Sequence, residues 1–112
     1  EDGYAGAEQL VRQGGTAIFS MNDIMAGGIY DYINEKGMRI GKDLSVIGFD
    51  DREISEAFYP TLSTVALPLN HMGSIAAELL TERLEGKKGS GEKKEYKIPC
   101  QVINRNSICK IK

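Results

Sequence analysis

The stretches "FSMND" (19–23) and "SVIGFDD" (45–51) are apolar runs that each stop on polar side chains. A carboxylate such as Asp50 accepts hydrogen bonds from two vicinal hydroxyls. An amide such as Asn22 both donates and accepts, so the pair suits recognition of a polyol. Paired acids at a strand end can also hold Mg²⁺ in phosphotransfer chemistry. That chemistry needs a further acid and a lysine at other strand ends, and "FSMN" and "TVAL" offer neither. No serine–histidine–aspartate set, P-loop or G-x-G-x-x-G pattern occurs. Cys100 and Cys109, with His71 as the one histidine, lack zinc-ligand spacing. The expectation is therefore a binding protein with no catalytic residue, metal or cofactor, whose cysteines are the reduced thiols of a cytoplasmic protein.

The elements that would position Asn22 and Asp50 follow from hydrophobic periodicity. Ala7, Leu10 and Val11 predict a helix over 3–13, ended by Gly14 and Gly15. "TAIFS" (16–20) predicts a strand. Met25, Ile29, Tyr32 and Ile33 share one helical face over 22–37, with Asn22 as N-cap and Gly37 as terminator. Gly27 and Gly28 inside that helix cost roughly 1 kcal/mol each against alanine, and such glycines mark close packing by another backbone. "DLSVIGF" (43–49) predicts a second buried strand. Strand, helix and strand in this span make a βαβ unit, with parallel strands and a right-handed crossover. Ligands in open α/β sheets bind outside the carboxyl ends of strands, where both Asn22 and Asp50 fall.

Residues 51–60 read as an irregular turn, and 62–67 as a third strand stopped by Pro68. Residues 70–88 read as a helix capped by Asn70 and ended by Gly86, with Met72, Ile75, Ala76, Leu79, Leu80 and Leu84 as an apolar stripe. Residues 95–105 read as a last strand, interrupted by Pro99. The class is α/β. A length of 112 residues suits one packed domain. No apolar run approaches membrane-spanning length, and nothing near residue 1 reads as a signal peptide. A net charge of −2 with interspersed signs lacks the basic patch of a nucleic-acid binder. The broken basic run "KKGSGEKK" (87–94) reads as a solvated loop.

The succession "TAIFSMNDIMAGGIYDYINEKGMRIGKDLSVIGFDD", "YPTLSTVALPLNHMGSIAAELL" and "IPCQVINRNS" resembles the LacI/GalR family of bacterial transcriptional regulators, over nearly the whole chain. The resemblance implies a parallel-sheet βαβ subdomain of a type I periplasmic-binding-protein-like fold (Rossmann-like, three-layer), with an effector held in a cleft between two subdomains. Residues 1–68 and 95–112 would belong to the carboxyl-terminal subdomain. Residues 69–94 would pack on the amino-terminal subdomain, which lies upstream with the helix-turn-helix that binds operator DNA. Without that partner, helix 70–88 would fold on its own sheet or swap with a second copy.

Asn22 and Asp50 match family positions that contact a sugar-like effector. Asp23 and Leu67 are secondary candidates; Leu67 stands near a position that often carries glutamine, so one polar contact is lost there. Gly27, Tyr30 and Phe58 match the family's homodimer interface. The function so implied is effector sensing and dimerisation in a repressor. The rival is a sugar-binding protein of an ABC-type transport system, exported and monomeric.

Overall fold

The computed structural model describes residues 1–87 and 93–110. Most of the basic loop 87–94 lies outside the described residues. The chain forms two compact units, one of residues 1–66 with the tail from Gln101, the other Leu67–Cys100.

In the first unit, helix α1 (Asp2–Arg12) leads to strand β1 (Ala17–Phe19), helix α2 (Asp23–Glu35) and strand β2 (Ser45–Ile47). β1 and β2 pair in parallel, Ala17 with Ser45 through Phe19 with Ile47. The expected βαβ unit is therefore present. Asn22 caps α2 by accepting from Met25 N at 2.8 Å. Gly37 follows the helix at φ +72°, the left-handed conformation that ends it.

Beyond β2 the chain turns through a single helical turn, α3 (Ile54–Ala57), where sequence alone predicts only a turn. Four residues are too few to display a period. Strand β3 (Thr64–Ala66) then runs beside β2 through parallel bridges at Ile47–Ser63 and Asp50–Ala66. Strand β4 (Gln101–Ile103) pairs with β3 antiparallel. It is shorter than the expected strand over 95–105.

Ile18, Val46 and Leu44 from the sheet side meet Ala26, Ile29, Tyr32 and Ile33 of α2, all nearly solvent-free. Two glycines bring the helices together. A Cβ on Gly28 would lie 2.8 Å from Tyr4 N, and one on Gly3 would fall on the Met25 carbonyl. The backbones of α1 and α2 thus touch, which accounts for Gly28. Tyr4 stacks edge-on to Tyr32 at 5.2 Å and donates to Glu35 at 2.7 Å. Gly27 has a different neighbour: its Cβ would sit 3.6 Å from the Phe58 ring. The tail closes the unit. Ser107, fully buried, accepts from Ser63 N at 2.8 Å and donates to the Val46 carbonyl at 2.5 Å.

In the second unit, α4 spans Leu69–Leu84 and is followed by Gly86 at φ +67°. Its N-cap is Pro68, with no side-chain cap; Asn70 lies inside the first turn, and its carbonyl accepts from Ser74 Oγ. The expected Asn70 cap is corrected on this point, because the helix begins one residue earlier than the polar signal. None of its residues is buried, and Leu69, Leu80 and Leu84 are largely exposed.

Two outcomes follow from this packing. Gly28→Ala is expected to destabilise the protein by roughly 1–3 kcal/mol in urea unfolding, through helix–helix overpacking. Gly6→Ala on α1, where nothing lies within 4 Å of the added carbon, is expected to be neutral or stabilising by up to about 1 kcal/mol. Burial also pushes the Tyr30 hydroxyl from its ordinary value near 10 up to about 12. Below pH 10 the proton is held in both states. From 10 to 12 the unfolded chain releases it first, so stability falls with rising pH. Tyr30→Phe lacks this slope, and the stability difference between the two proteins is expected to shrink from pH 9 to pH 12.

Candidate functional site

The carboxyl ends of β1 and β2 are laced into one corner. Ser20 N donates to the Ile47 carbonyl at 2.8 Å, and Asp23 N donates to the Phe49 carbonyl at 3.0 Å. The second bond sets the peptide joining Asn22 to Asp23 against the peptide joining Phe49 to Asp50. The two candidate effector contacts therefore stand on adjoining backbone.

Each has capacity to spare. Asn22 spends its side-chain oxygen on the helix cap, and its amide nitrogen has no protein partner among the described residues. Asp50 is half-buried, and its carboxylate likewise has no protein partner among them. Its backbone is held open at φ 104°, and Asp51 follows at φ 54°. Consecutive non-glycine residues in this region cost on the order of 1–3 kcal/mol each and persist only where the surroundings over-determine them. Exposed apolar side chains border the corner: Phe19, Met21 and Ile24, with the Phe19 and Phe49 rings 6.5 Å apart.

Asp23 is not available to a ligand, which corrects its place as a secondary contact. It has 0% exposure; Oδ1 accepts from Thr64 Oγ1 and Oδ2 from Arg52 N, each at 2.7 Å. Both oxygens are bonded within the protein. Gly48 makes this possible, since a Cβ there would fall on Asp23 Oδ1. A glycine interrupting an apolar strand is a sign of such close approach, and it was the available clue to this brace. Arg105 is the other residue that sequence reasoning passed over. Its guanidinium reaches Asp51 Oδ1, Ser55 Oγ and the Leu62 carbonyl, all at 2.9 Å.

Leu67 is half-buried and opens the second unit. Gly27, Tyr30 and Phe58 do come together, but within one chain. Tyr30 stacks on Phe58 at 4.8 Å and donates to the Pro60 carbonyl at 2.8 Å. With 4% exposure, Tyr30 is a core residue and has almost no surface to offer a partner. Its neighbour Tyr59 is 93% exposed.

A hollow of about 700 Å³ lies elsewhere, on the open face of the β1–β2 pair, lined by Ala17, Phe19, Ser45, Ile47, Ile108 and Cys109 among others. Parallel sheets are ordinarily covered on both faces. Among the described residues the hollow is an open side of the sheet, and it includes neither Asn22 nor Asp50. No group of three or more metal-ligating side chains occurs among the described residues. No helix among them is long and apolar enough to cross a membrane.

Comparison with known proteins agrees with this architecture. The sequence matches the periplasmic binding protein-like domain over residues 1–108. It is 40% identical over 93 residues to the HTH-type transcriptional repressor PurR of Vibrio atlanticus, covering 83% of this chain and 27% of that protein. The chain thus spans about a quarter of the length of the curated relatives it matches. Among solved structures, a LacI family transcriptional regulator from Enterococcus faecalis with bound ribose superposes with a TM-score of 0.84 at 34% identity. That match covers 98% of this chain and 40% of the other. The lac repressor dimer bound to operator and the anti-inducer ONPF gives a TM-score of 0.83 at 29% identity, over 96% and 37%. These proteins are named as transcriptional regulators, and none of them as an enzyme. The chain belongs to the periplasmic binding protein-like domain family, and the relatives and neighbours it resembles along most of its length are transcriptional regulators of the PurR and LacI kind.

Proposed function

We propose that this segment senses a small sugar-like effector in a LacI-type repressor, with Asn22 and Asp50 supplying hydrogen bonds from one side of the effector cleft. The observation that carries this reading is the Asp50 carboxylate, without a protein partner among the described residues and held in a strained backbone conformation, beside the Asn22 amide nitrogen, which has none among them either. A carboxylate that accepts from vicinal hydroxyls next to an amide that donates is the chemistry of polyol recognition. The ribose-bound regulator from Enterococcus faecalis supports the choice of ligand class.

Around this site we place three further roles. The exposed apolar residues of α4 pack on the amino-terminal subdomain. The edges of Gly27 and Phe58, with the exposed Tyr59, form part of a homodimer contact; the lac repressor neighbour is a dimer. Operator DNA is bound by a separate helix-turn-helix, and effector binding shifts the balance between two subdomain arrangements that the paired heads read differently. A cytoplasmic location goes with that role. The transport-receptor alternative draws on the shared fold alone, whereas the relatives named above are regulators.

The test is calorimetric titration of D-ribose into the full-length protein. Asp50→Asn is expected to weaken binding about ten- to a hundredfold, since a charge-assisted hydrogen bond contributes roughly 1.5–3 kcal/mol. Asn22→Asp keeps the helix cap but loses the amide donor, so affinity is expected to fall with little change in melting temperature. Unchanged affinity in both variants would remove these residues from the site.

A further inference from the structure

The corner at Asp50 and Asp51 is held from two sides. On one side three successive backbone N–H groups are taken up: Asp50 N by the Val65 carbonyl at 2.9 Å, Asp51 N by Thr64 Oγ1 at 3.3 Å, and Arg52 N by Asp23 Oδ2 at 2.7 Å. On the other side is Arg105. Its Nη2 pairs with Asp51 Oδ1 at 2.9 Å, and its Nη1 bonds Ser55 Oγ and the Leu62 carbonyl, both at 2.9 Å. The Arg105 backbone is itself pinned, with N donating to Ser63 Oγ at 2.8 Å. The fork is thus fixed at both ends before it reaches Asp51.

Among the ion pairs of the described residues, this one has both partners sheltered; Arg105 also reaches Glu56 at 3.4 Å, but that carboxylate is 75% exposed. The Arg105 side chain is 14% exposed and that of Asp51 30%, against 73% and 36% for Arg12 and Glu8. A planar guanidinium held by four acceptors, the fourth being Glu56 Oε1 at 3.4 Å, is a rigid part, unlike a solvated surface pair. The two adjacent carboxylates also divide their labour through it. Asp51 is paired with Arg105, which occupies it and removes it as a rival contact for a ligand. Asp50 is left as the carboxylate without a protein partner among the described residues.

We propose that Arg105 is a positioning residue for effector recognition: by holding Asp51 it fixes the left-handed corner and keeps the Asp50 carboxylate free for a ligand. The proposal rests on the reading of Asp50 as an effector contact. Lysine in its place would keep the charge and lose the fork.

Hydrogen exchange by mass spectrometry on the full-length protein tests the positioning directly. In Arg105→Gln, peptides spanning residues 49–55 are expected to exchange at least tenfold faster, while peptides of β1 and α2 exchange as in the wild type. Arg105→Lys is expected to fall between. An equal rise in all these peptides, or none, would overturn the proposal, the first by making Arg105 a general stabiliser of the fold. D-ribose titration then separates this claim from the one beneath it. Arg105→Gln is expected to weaken binding about tenfold, and Asp50→Asn to add little when combined with it. Full affinity in Arg105→Gln beside a weakened Asp50→Asn overturns the positioning role. Full affinity in Asp50→Asn, or no ribose binding by the wild type, overturns the effector reading instead, and the exchange result alone then decides what Arg105 does to the corner.

Discussion

Asp23 carries a carboxylate with no solvent-exposed surface, and three separate pieces of chain depend on it. Its backbone opens α2 and bonds Phe49 at the end of β2; its side chain takes a hydroxyl from β3 and an N–H from the turn after Asp51. An ionised group is expensive to bury unless its hydrogen bonds are satisfied. Here both oxygens have donors, so the group specifies one arrangement of the corner and penalises others. Gly48 is part of the same constraint, because a side chain there would occupy the carboxylate's place.

The site follows from that brace. With the ends of β1 and β2 tied together, Asn22 and Asp50 stand on adjoining backbone, and the acid that follows each of them, Asp23 and Asp51, is already bonded into the protein. The strained φ values of Asp50 and Asp51 are sustained by contacts made elsewhere, from Thr64, Val65 and Arg105. Spare hydrogen-bonding capacity surrounded by satisfied groups is what a preorganised recognition site requires, since little must rearrange when a ligand arrives. Asn22 shows how one side chain divides its atoms, the oxygen capping the start of α2 and the nitrogen without a protein partner among the described residues.

Local signals were legible in the sequence, and long-range ones were not. Apolar runs of the right length predicted β1, α2 and β2, and capping chemistry placed Asn22 and Gly37, because each depends on neighbours within a few residues. Asn70 misled for the opposite reason: it has the right side chain, but α4 already begins at Leu69, with Pro68 in the cap position. The final strand shrinks to Gln101–Ile103, the residues that have a pairing partner in β3. Asp23 reads locally as an acid favouring a helix start, and its true partners, Arg52 and Thr64, are 29 and 41 residues away. Arg105 meets Asp51 across 54 residues. Tyr30, matched by resemblance to an interface, is drawn inward by Phe58 and Pro60.

In the reading proposed above, Asp50 and Asn22 face one ligand. The measurement that meets this reading most directly is a crystal structure of the full-length protein with D-ribose. The expected result is a sugar hydroxyl within hydrogen-bond distance of the Asp50 carboxylate and another at the Asn22 amide, with Asp51 still paired to Arg105 and Asp23 still enclosed. Ribose bound without touching either residue, or an Asp50 carboxylate turned onto a protein donor, would contradict it.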